Sequence, residues 1–293
     1  MKLGIGLPNT LAQQVDRRLM LDWAKLADDA GFHVLGTIDK PNYDSWDPLA
    51  TLAGVAGVTE RIRLATTILQ LTPRNEMLVA KQAAVIDQLS GGRLDLGLGQ
   101  GGREDDFAVF GAEFARRGPR FEQKVGRVRE IWAGAREASH DHGTVGPAPV
   151  QTPGPPIWVG ALTPKGIERA IRVADGFVFG AAAGSAVVNE HAPAIRERFE
   201  AAGKPGATII GLAYVAVGDD PRKALDEATH HVLRYYGELR TAPESLIHHG
   251  PAAKIAEELT AYADAVDILI VFPEIPDLGQ VEQLAEHALA AAG

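Results

Sequence analysis

The sequence contains no cysteine among its 293 residues, and it contains no apolar run of about 18 residues. The missing cysteine excludes disulfides, thiolate metal sites and cysteine nucleophiles. The missing apolar run removes the usual signature of a membrane-spanning helix. The amino terminus also lacks a basic segment followed by an apolar one, so we predict a cytoplasmic protein.

Positive charge is scarce as well. Lys and Arg number 29 against 38 Asp and Glu, which gives a net charge of −9, and there is no long basic run. We therefore expect no nucleic-acid partner and no membrane-surface partner. The motifs G-x-S-x-G, H-E-x-x-H and the P-loop are missing, which leaves serine hydrolysis and zinc chemistry without their usual marks. His140, Asp141 and His142 lack a further ligand at helical or hairpin spacing, so no metal is predicted.

What the chain does contain is a regular alternation of strand-like and helix-like segments, at roughly 30 residues per unit. Predicted strands are Leu3–Leu7, Val34–Ile38, Arg61–Leu71, a strand from Arg93, Ile157–Gly160, Gly176–Gly180, Thr208–Val217 and Asp267–Phe272. Eight such units predict the α/β class, as a (β/α)8 TIM barrel with loop insertions and one domain over residues 1–293. A doubly wound sheet is the alternative. It is weakened because the glycine fingerprint follows the fourth strand, whereas a dinucleotide fold carries it after the first.

That fingerprint lies in the stretch from Arg93 to Phe107. Gly97, Gly99 and Gly102 fit G-x-G-x-x-G, which is a weak signal by itself, although glycine lets the backbone approach a ligand. Ligands of such barrels bind at the C-terminal ends of the strands, so the residues there are the candidates. They are Asn9, Asp39, Lys40, Thr66–Ile68, Gly99–Asp106, Gly160–Thr163, Gly180 and Glu274.

Two of these regions leave alternatives open. Thr163 and Pro164 suit the N-cap and first position of a helix, whose free N–H groups would receive a phosphate or simply be capped. Lys40 is a base, a partner for a ligand anion, or half of an ion pair with Asp39 or Asp44.

A predicted helix over Pro221–Tyr236 carries a further group of candidates. His231 and Tyr235 are i,i+4 neighbours on it, as are His230 and Arg234, so one pair can line a pocket while the other faces solvent. His248 and His249 are predicted to lie in a loop.

Several stretches together resemble the luciferase-like flavin-dependent monooxygenase superfamily. They are A-T-T-I-L-Q-L-T-P-R-N from Ala65, A-K-Q-A-A-V-I-D-Q-L-S-G-G-R-L-D-L-G-L-G from Ala80, G-R-E-D-D-F from Gly102, R-R-G-P-R-F from Arg116, P-P-I-W-V-G from Pro155 and A-I-R-V-A-D-G-F from Ala170. The match covers nearly the whole chain. It implies a TIM barrel, usually dimeric, that binds FMN or the deazaflavin F420 at the C-terminal face.

The resemblance also implies roles for individual positions. Asp39 and Lys40 match residues that face the flavin ring, and Thr67-Ile68, next to Thr66, matches a non-prolyl cis peptide behind it. The run from Gly99 to Asp106, which includes Gln100, Gly101 and Asp105, matches the loop along the ring and ribityl chain. The loop that binds the flavin phosphate matches Gly160, Ala161, Leu162 and Thr163, with Gly180 nearby. Family members that are F420-dependent dehydrogenases typically carry histidine at the position of Lys40 and glutamate near Gly102, and this sequence matches neither of those two positions.

The sequence therefore predicts a monooxygenase that takes reduced FMN from a separate flavin reductase and uses O2 on a small organic substrate. The catalytic candidates are Lys40, His231 and Tyr235, and a homodimer is expected. One alternative is an F420-dependent oxidoreductase that transfers hydride. The other is a flavin-binding barrel without catalysis.

Overall fold

Eight parallel strands close into a barrel, which confirms the predicted α/β architecture. The computed structural model describes residues 1–135, 144–236 and 242–290, except for the side chains of Ala12 and of residues 234–236. The strands are β1 (Lys2–Gly6), β2 (Val34–Thr37), β3 (Arg63–Gln70), β4 (Leu94–Gly99), β5 (Ile157–Gly160), β6 (Gly176–Val178), β7 (Thr208–Val217), β8 (Ile247–Gly250) and β9 (Ile268–Pro273). Strands β1 to β7 pair in chain order, and β9 closes the ring between β7 and β1.

Helices follow most strands and cover the outside of the barrel. They are α1 (Arg17–Ala30), α2 (Pro48–Ala56), α3 (Glu76–Ser90), α4 (Glu104–Val109), α5 (Arg117–Trp132), α6 (Pro164–Val173), α7 (Gly184–Ala201), α8 (Pro221–Tyr236), α9 (Ala252–Leu259) and α10 (Leu278–Leu284). Their ends follow local chemistry: Asn75 accepts a hydrogen bond from the Leu78 amide at the start of α3, and Gly91 ends that helix with a φ of +66°. Among the described helices, none combines the length and the apolar composition needed to cross a membrane.

Strand β8 was not predicted, and the expected loop at His248 and His249 is wrong. The long strand β7 pairs with β6 through its first residues and with β8 through Tyr214–Val217, while β9 lies along its other side. β8 thus occupies the edge of β7 that short β6 leaves open. The sequence of β8 shows no apolar alternation, so its extended form depends on this free edge.

The barrel interior is filled by large side chains opposite glycines. Ile270 and Phe272 of β9 belong to the inner cluster of buried residues, together with Ile210 and Leu212 of β7. A Cβ atom on Gly6 would collide with the Phe272 ring. The glycines of β1 therefore provide the volume that the aromatic ring of β9 occupies.

Strand β3 contains an irregularity that matters for the site. Its register against β4 shifts between Thr66 and Leu69, and the Thr67–Ile68 peptide between them is cis, as the resemblance implies. The Thr66 hydroxyl donates to the Gly97 carbonyl at 2.6 Å, and the Thr67 hydroxyl donates to the Thr37 carbonyl at 3.1 Å. Two side chains at the start of the shift are thereby tied to the neighbouring strands.

Candidate cofactor site at the C-terminal end of the barrel

A cavity of about 390 Å³ opens where strands β2 to β7 end. The predicted positions that line it are Asp39, Lys40, Thr67, Ile68, Gln100, Gly101, Gly160, Ala161, Leu162, Thr163 and Gly180. Most of the residues predicted to bind the cofactor therefore surround a single cavity, as expected when parallel strands end at one edge.

Three of the predicted positions do not line this cavity. The Thr66 hydroxyl is engaged with Gly97 inside the sheet, and Gly99 lies behind Ile68, whose Cδ1 a Cβ on Gly99 would meet. Asp105 lies in the first turn of α4, where it accepts hydrogen bonds from Arg103 and Asn42, both at 2.8 Å. The Arg103 guanidinium lowers the pKa of the Asp105 carboxyl. Direct cofactor contact by these three residues remains a prediction.

Ile68 forms one wall of the cavity. A Cβ atom on Gly160 would lie 2.9 Å from its Cδ1, and Gly99 approaches the same side chain from β4. The irregular segment of β3 thus projects an apolar side chain between two glycines. Such a surface suits the face of a planar ring.

Two buried oxygen atoms beside this wall have no hydrogen-bond partner among the described residues. The side-chain amide of Gln70 donates to Asp106 at 2.9 Å, which leaves Gln70 Oε1 and Asp106 Oδ1 unsatisfied. Both residues line the cavity. Buried acceptors are costly unless something donates to them, so they fit a ligand with N–H groups on its rim, as the rings of FMN and F420 have.

Asp39 is held by an ion pair that the sequence did not predict. Its carboxylate accepts from Arg74 at 2.8 Å and from the backbone amide of Gln70 at 2.9 Å. Burial raises the pKa of the Asp39 carboxyl, while Arg74 and the amide act in the opposite direction. Asp39 therefore joins the ends of β2 and β3 and pairs with Arg74. An ion pair of Lys40 with Asp39 or Asp44 remains a prediction.

Lys40 lies between the main cavity and a smaller one. Burial, reinforced by the charge of Arg103, lowers the pKa of the Lys40 amine to about 8. Its Nζ lies 5.4 Å from the centre of the Tyr43 ring. An amine with such a pKa exchanges its proton near neutral pH, which suits an acid or base.

The smaller cavity, which we call the side cavity, measures about 30 Å³. Its polar lining includes Gln14, Lys40, His231 and Glu274. His231 of α8 donates from Nδ1 to the Glu274 backbone carbonyl at 2.6 Å, and its Nε2 accepts from the Gln14 amide at 2.6 Å. His231 therefore reaches the site as predicted, whereas the side chain of Tyr235 lies outside the described residues, as do His140, Asp141 and His142.

The opposite side of the main cavity is cationic. Thr163 caps α6 by accepting from the Gly166 amide at 3.2 Å, and Arg169 lies further along the same helix. Arg169 donates to Glu122 at 2.9 Å and to Gln100 at 3.0 Å, and Arg117 donates to the Gly101 carbonyl at 3.2 Å. A helix start with nearby guanidinium groups favours a phosphate. The sequence did not assign Arg117 or Arg169, although the R-R-G-P-R-F run contains the former.

Comparison with known proteins agrees with this geometry. The family model described as "Luciferase-like monooxygenase" matches residues 1–288. The oxygenase component of a flavin-dependent trigonelline monooxygenase from Acinetobacter baylyi is 28% identical over 173 residues, which cover 55% of this chain and 48% of that protein. A Mycobacterium tuberculosis protein provisionally named a coenzyme F420-dependent oxidoreductase is 31% identical over 195 residues, covering 61% and 55%. The chain thus spans about half the length of the curated relatives it matches.

Solved structures share the fold over the full chain. A monooxygenase from Streptomyces bottropensis superposes with a TM-score of 0.83 at 23% identity, covering 100% of both chains. An F420-dependent secondary alcohol dehydrogenase superposes with a TM-score of 0.80 at 18% identity, covering 100% of this chain and 99% of that one. The full-length family match, together with this barrel, establishes that the chain belongs to the luciferase-like monooxygenase family.

Proposed function

We propose that this protein is a monooxygenase that binds reduced FMN and uses O2 on a small organic substrate. The observation that carries the proposal is the main cavity, which combines an apolar wall at Ile68, two unsatisfied acceptors on Gln70 and Asp106, and a cationic side at Arg117 and Arg169. When bound, reduced FMN would supply the two electrons with which one oxygen atom enters the substrate and the other leaves as water.

The residues of the chain have separable tasks in this proposal. Gln70 and Asp106 accept hydrogen bonds from the ring, and the helix start at Thr163 with Arg169 holds the phosphate. Lys40 holds or releases a proton at Nζ beside the reacting centre, and His231 fixes the position of the Glu274 backbone. Reduced FMN would come from a separate flavin reductase, as the name of the Acinetobacter oxygenase component suggests for that protein.

A second candidate is an F420-dependent oxidoreductase that transfers hydride. The Mycobacterium relative favours it, and so do Arg103, Arg117 and Arg169, because guanidinium groups suit an acidic cofactor tail. Lys40 in place of histidine favours the monooxygenase. A barrel that binds flavin without catalysis is the third candidate, and the ionisable Lys40 inside the cavity argues against it.

Parallel anaerobic titrations with reduced FMN and with F420 test these candidates. We expect saturable binding of reduced FMN, followed on admission of oxygen by substrate-dependent product formation. Binding of F420 alone would replace the first proposal by the second, and flavin binding without any substrate-dependent turnover would favour the third.

The first testable prediction concerns Gly180. A Cβ atom at this position meets nothing within 4 Å, and its φ of −67° suits any residue, so leucine can extend into the cavity without a protein clash. We expect Gly180→Leu to weaken FMN binding at least tenfold, an effect of about 1.4 kcal/mol, while the melting temperature stays unchanged. Gly206→Leu, also in open space but away from the cavity, is the control. Equal affinities in both variants would contradict the cofactor assignment.

A homodimer is the second part of the proposal. Leu78 and Leu89 of α3 are 54% and 56% exposed, and Val85 lies between them on the same face. An exposed apolar row on a helix marks an interaction surface, and a second copy of the chain offers the same row.

We accordingly expect Leu89→Glu to shift a dimer toward monomer in analytical ultracentrifugation, because a charge would be buried at the interface. Val109→Glu, at a residue of α4 that is equally exposed, should leave the assembly unchanged. A wild-type monomer, or an unaltered dimer in the Leu89 variant, would remove this surface from consideration. The single domain over residues 1–293 and the cytoplasmic location remain predictions of the sequence.

A further inference from the structure

Glu274 lines the side cavity, and its carboxyl group takes no part in the mechanism above. Glu274 directly follows β9, and its amide donates to the Val215 carbonyl at 2.9 Å, which fixes the backbone. The residue is only 6% exposed, yet it lines the cavity. A carboxyl group in such a position is rarely left without a partner.

No described residue supplies that partner by a hydrogen bond or an ion pair to the carboxyl oxygens. His231 donates to the backbone carbonyl of Glu274 and accepts from Gln14, so both of its nitrogens are used. Burial alone raises the pKa of the Glu274 carboxyl to about 8. The carboxyl therefore carries a proton at neutral pH in the free protein.

Other polar groups face the side cavity from the surrounding elements. They are Thr10, Gln13, Gln14, Lys40, Tyr43, Asp44, Ser45 and His231, with Tyr214 from β7. Lys40 lines both cavities, and the carboxylates that raise the pKa of its amine are Asp106, Asp105 and Asp39.

The size of the side cavity limits what can bind there. About 30 Å³ holds only one or two non-hydrogen atoms, by comparison with the roughly 10 to 15 Å³ that a single water requires. Ile38, Lys40 and Tyr214 line both cavities, so the two spaces adjoin. A substrate whose body lies in the main cavity can therefore extend a small head group toward Glu274.

We propose that the side cavity is the substrate's head-group subsite and that its occupant is a protonated amine held by the Glu274 carboxylate. The inference rests on the proposed function, since it names the substrate class of that site. A buried carboxylate needs a compensating cation, whereas a neutral hydroxyl offers only a hydrogen bond and a carboxylate ligand would add repulsion. The equilibrium is balanced: the ammonium binds, the Glu274 carboxyl becomes a carboxylate, and its proton goes to solvent.

Calorimetry with small aromatic probes tests this proposal. Benzylamine, benzyl alcohol and benzoate carry the same ring with a cationic, a neutral and an anionic head group. We expect benzylamine to bind at least tenfold more tightly than benzyl alcohol, with benzoate weakest. Titrations at pH 7 in two buffers of different ionisation enthalpy should show release of about one proton for benzylamine alone.

Two variants separate this subsite from general effects. Glu274→Gln keeps the shape of the side chain but cannot ionise, so it should abolish both the amine preference and the proton release. Glu282→Gln changes an exposed glutamate of α10 and should behave as wild type. Equal binding of benzylamine and benzyl alcohol, or an unchanged preference in Glu274→Gln, would overturn the proposal.

The titrations are run on both the cofactor-free and the FMN-loaded protein. Failure to bind FMN would refute the proposed function while the amine preference of the free protein could still be measured. Normal FMN binding without an amine preference would refute the subsite alone.

Discussion

Replacing Glu274 by glutamine is expected to raise the free energy of unfolding by about 5 kcal/mol at pH 9 and to leave it nearly unchanged at pH 4. Burial raises the pKa of this carboxyl from 4.5 to about 8 in the folded protein. Between these values the folded state binds the proton that the unfolded state has lost. The stability of the wild type therefore falls as pH rises from about 4.5 to 8, and glutamine, which resembles the protonated acid, removes that dependence.

Urea denaturation at several pH values between 4 and 9 measures this effect. The difference between wild type and Glu274→Gln should appear above pH 5 and level off near pH 8 to 9, because ionisation in the folded state is then complete. Glu282→Gln, at an exposed site, should follow the wild-type curve throughout. Parallel curves for the wild type and the Glu274 variant would mean that the carboxyl ionises normally and has access to water.

Replacing Gly97 by alanine is expected to lower the free energy of unfolding by about 3 kcal/mol or more. A Cβ atom on Gly97 would meet the Thr66 carbonyl oxygen at well under 3.0 Å, a separation that real Cβ atoms essentially never show. The atom it meets belongs to the backbone of β3, so a change of rotamer cannot relieve the collision. The Thr66 hydroxyl also donates to the Gly97 carbonyl at 2.6 Å, which holds the two strands together at this point.

The matched control is Gly126→Ala. Gly126 lies inside α5, is exposed, and has nothing within 4 Å of an added Cβ atom. Alanine there should stabilise the protein by about 0.5 to 1 kcal/mol, because it favours the helix more than glycine does. Denaturation curves of both variants measure these changes in the free energy of unfolding. A Gly97 variant as stable as the wild type would show that β3 and β4 can move apart at this point without a loss of stability. We also expect weaker FMN binding in Gly97→Ala, since Ile68 follows the displaced segment.

The positions of these two substitutions, Gly97 and Glu274, could be identified from the sequence to different degrees. Gly97 belongs to the glycine pattern that was identified in the sequence. The pattern was expected to make room for a flavin, whereas in the structure Gly97 makes room for the backbone of the neighbouring strand β3. Glu274 was recognised only as a residue that follows the last strand. Its burial depends on α8 and on the segment around Gln14, and its carboxyl group has no partner among the described residues. The sequence analysis assigned neither α8 nor Gln14 a contact with Glu274.

The polar pairs of the site likewise depend on contacts between residues that are distant in the sequence. Asp39 was expected to face the ring or to pair with Lys40, and in the fold its partner is Arg74, at a sequence separation of 35. Gln70 and Asp106, whose unsatisfied oxygens fit a ring, are separated by 36 positions. Asp106 belongs to the loop that the resemblance assigned to the ring, whereas Gln70 was not assigned from the sequence. Strand β8 was missed because its conformation depends on a free edge of β7.

By itself, the sequence determined the alternation of strands and helices, the closed barrel and the family of the chain, and it predicted the end of the barrel at which a ligand would bind. These follow from local periodicity, from capping residues and from short motifs, all of which act over a few neighbouring positions. Only the tertiary structure decided which polar side chains meet. Gln14 and His231 contact each other across 217 positions, and Glu274 lies beside them with no partner for its carboxyl group among the described residues. Periodicity indicates the face of an element on which a side chain lies. Which other side chains lie opposite that face depends on the packing of the whole barrel.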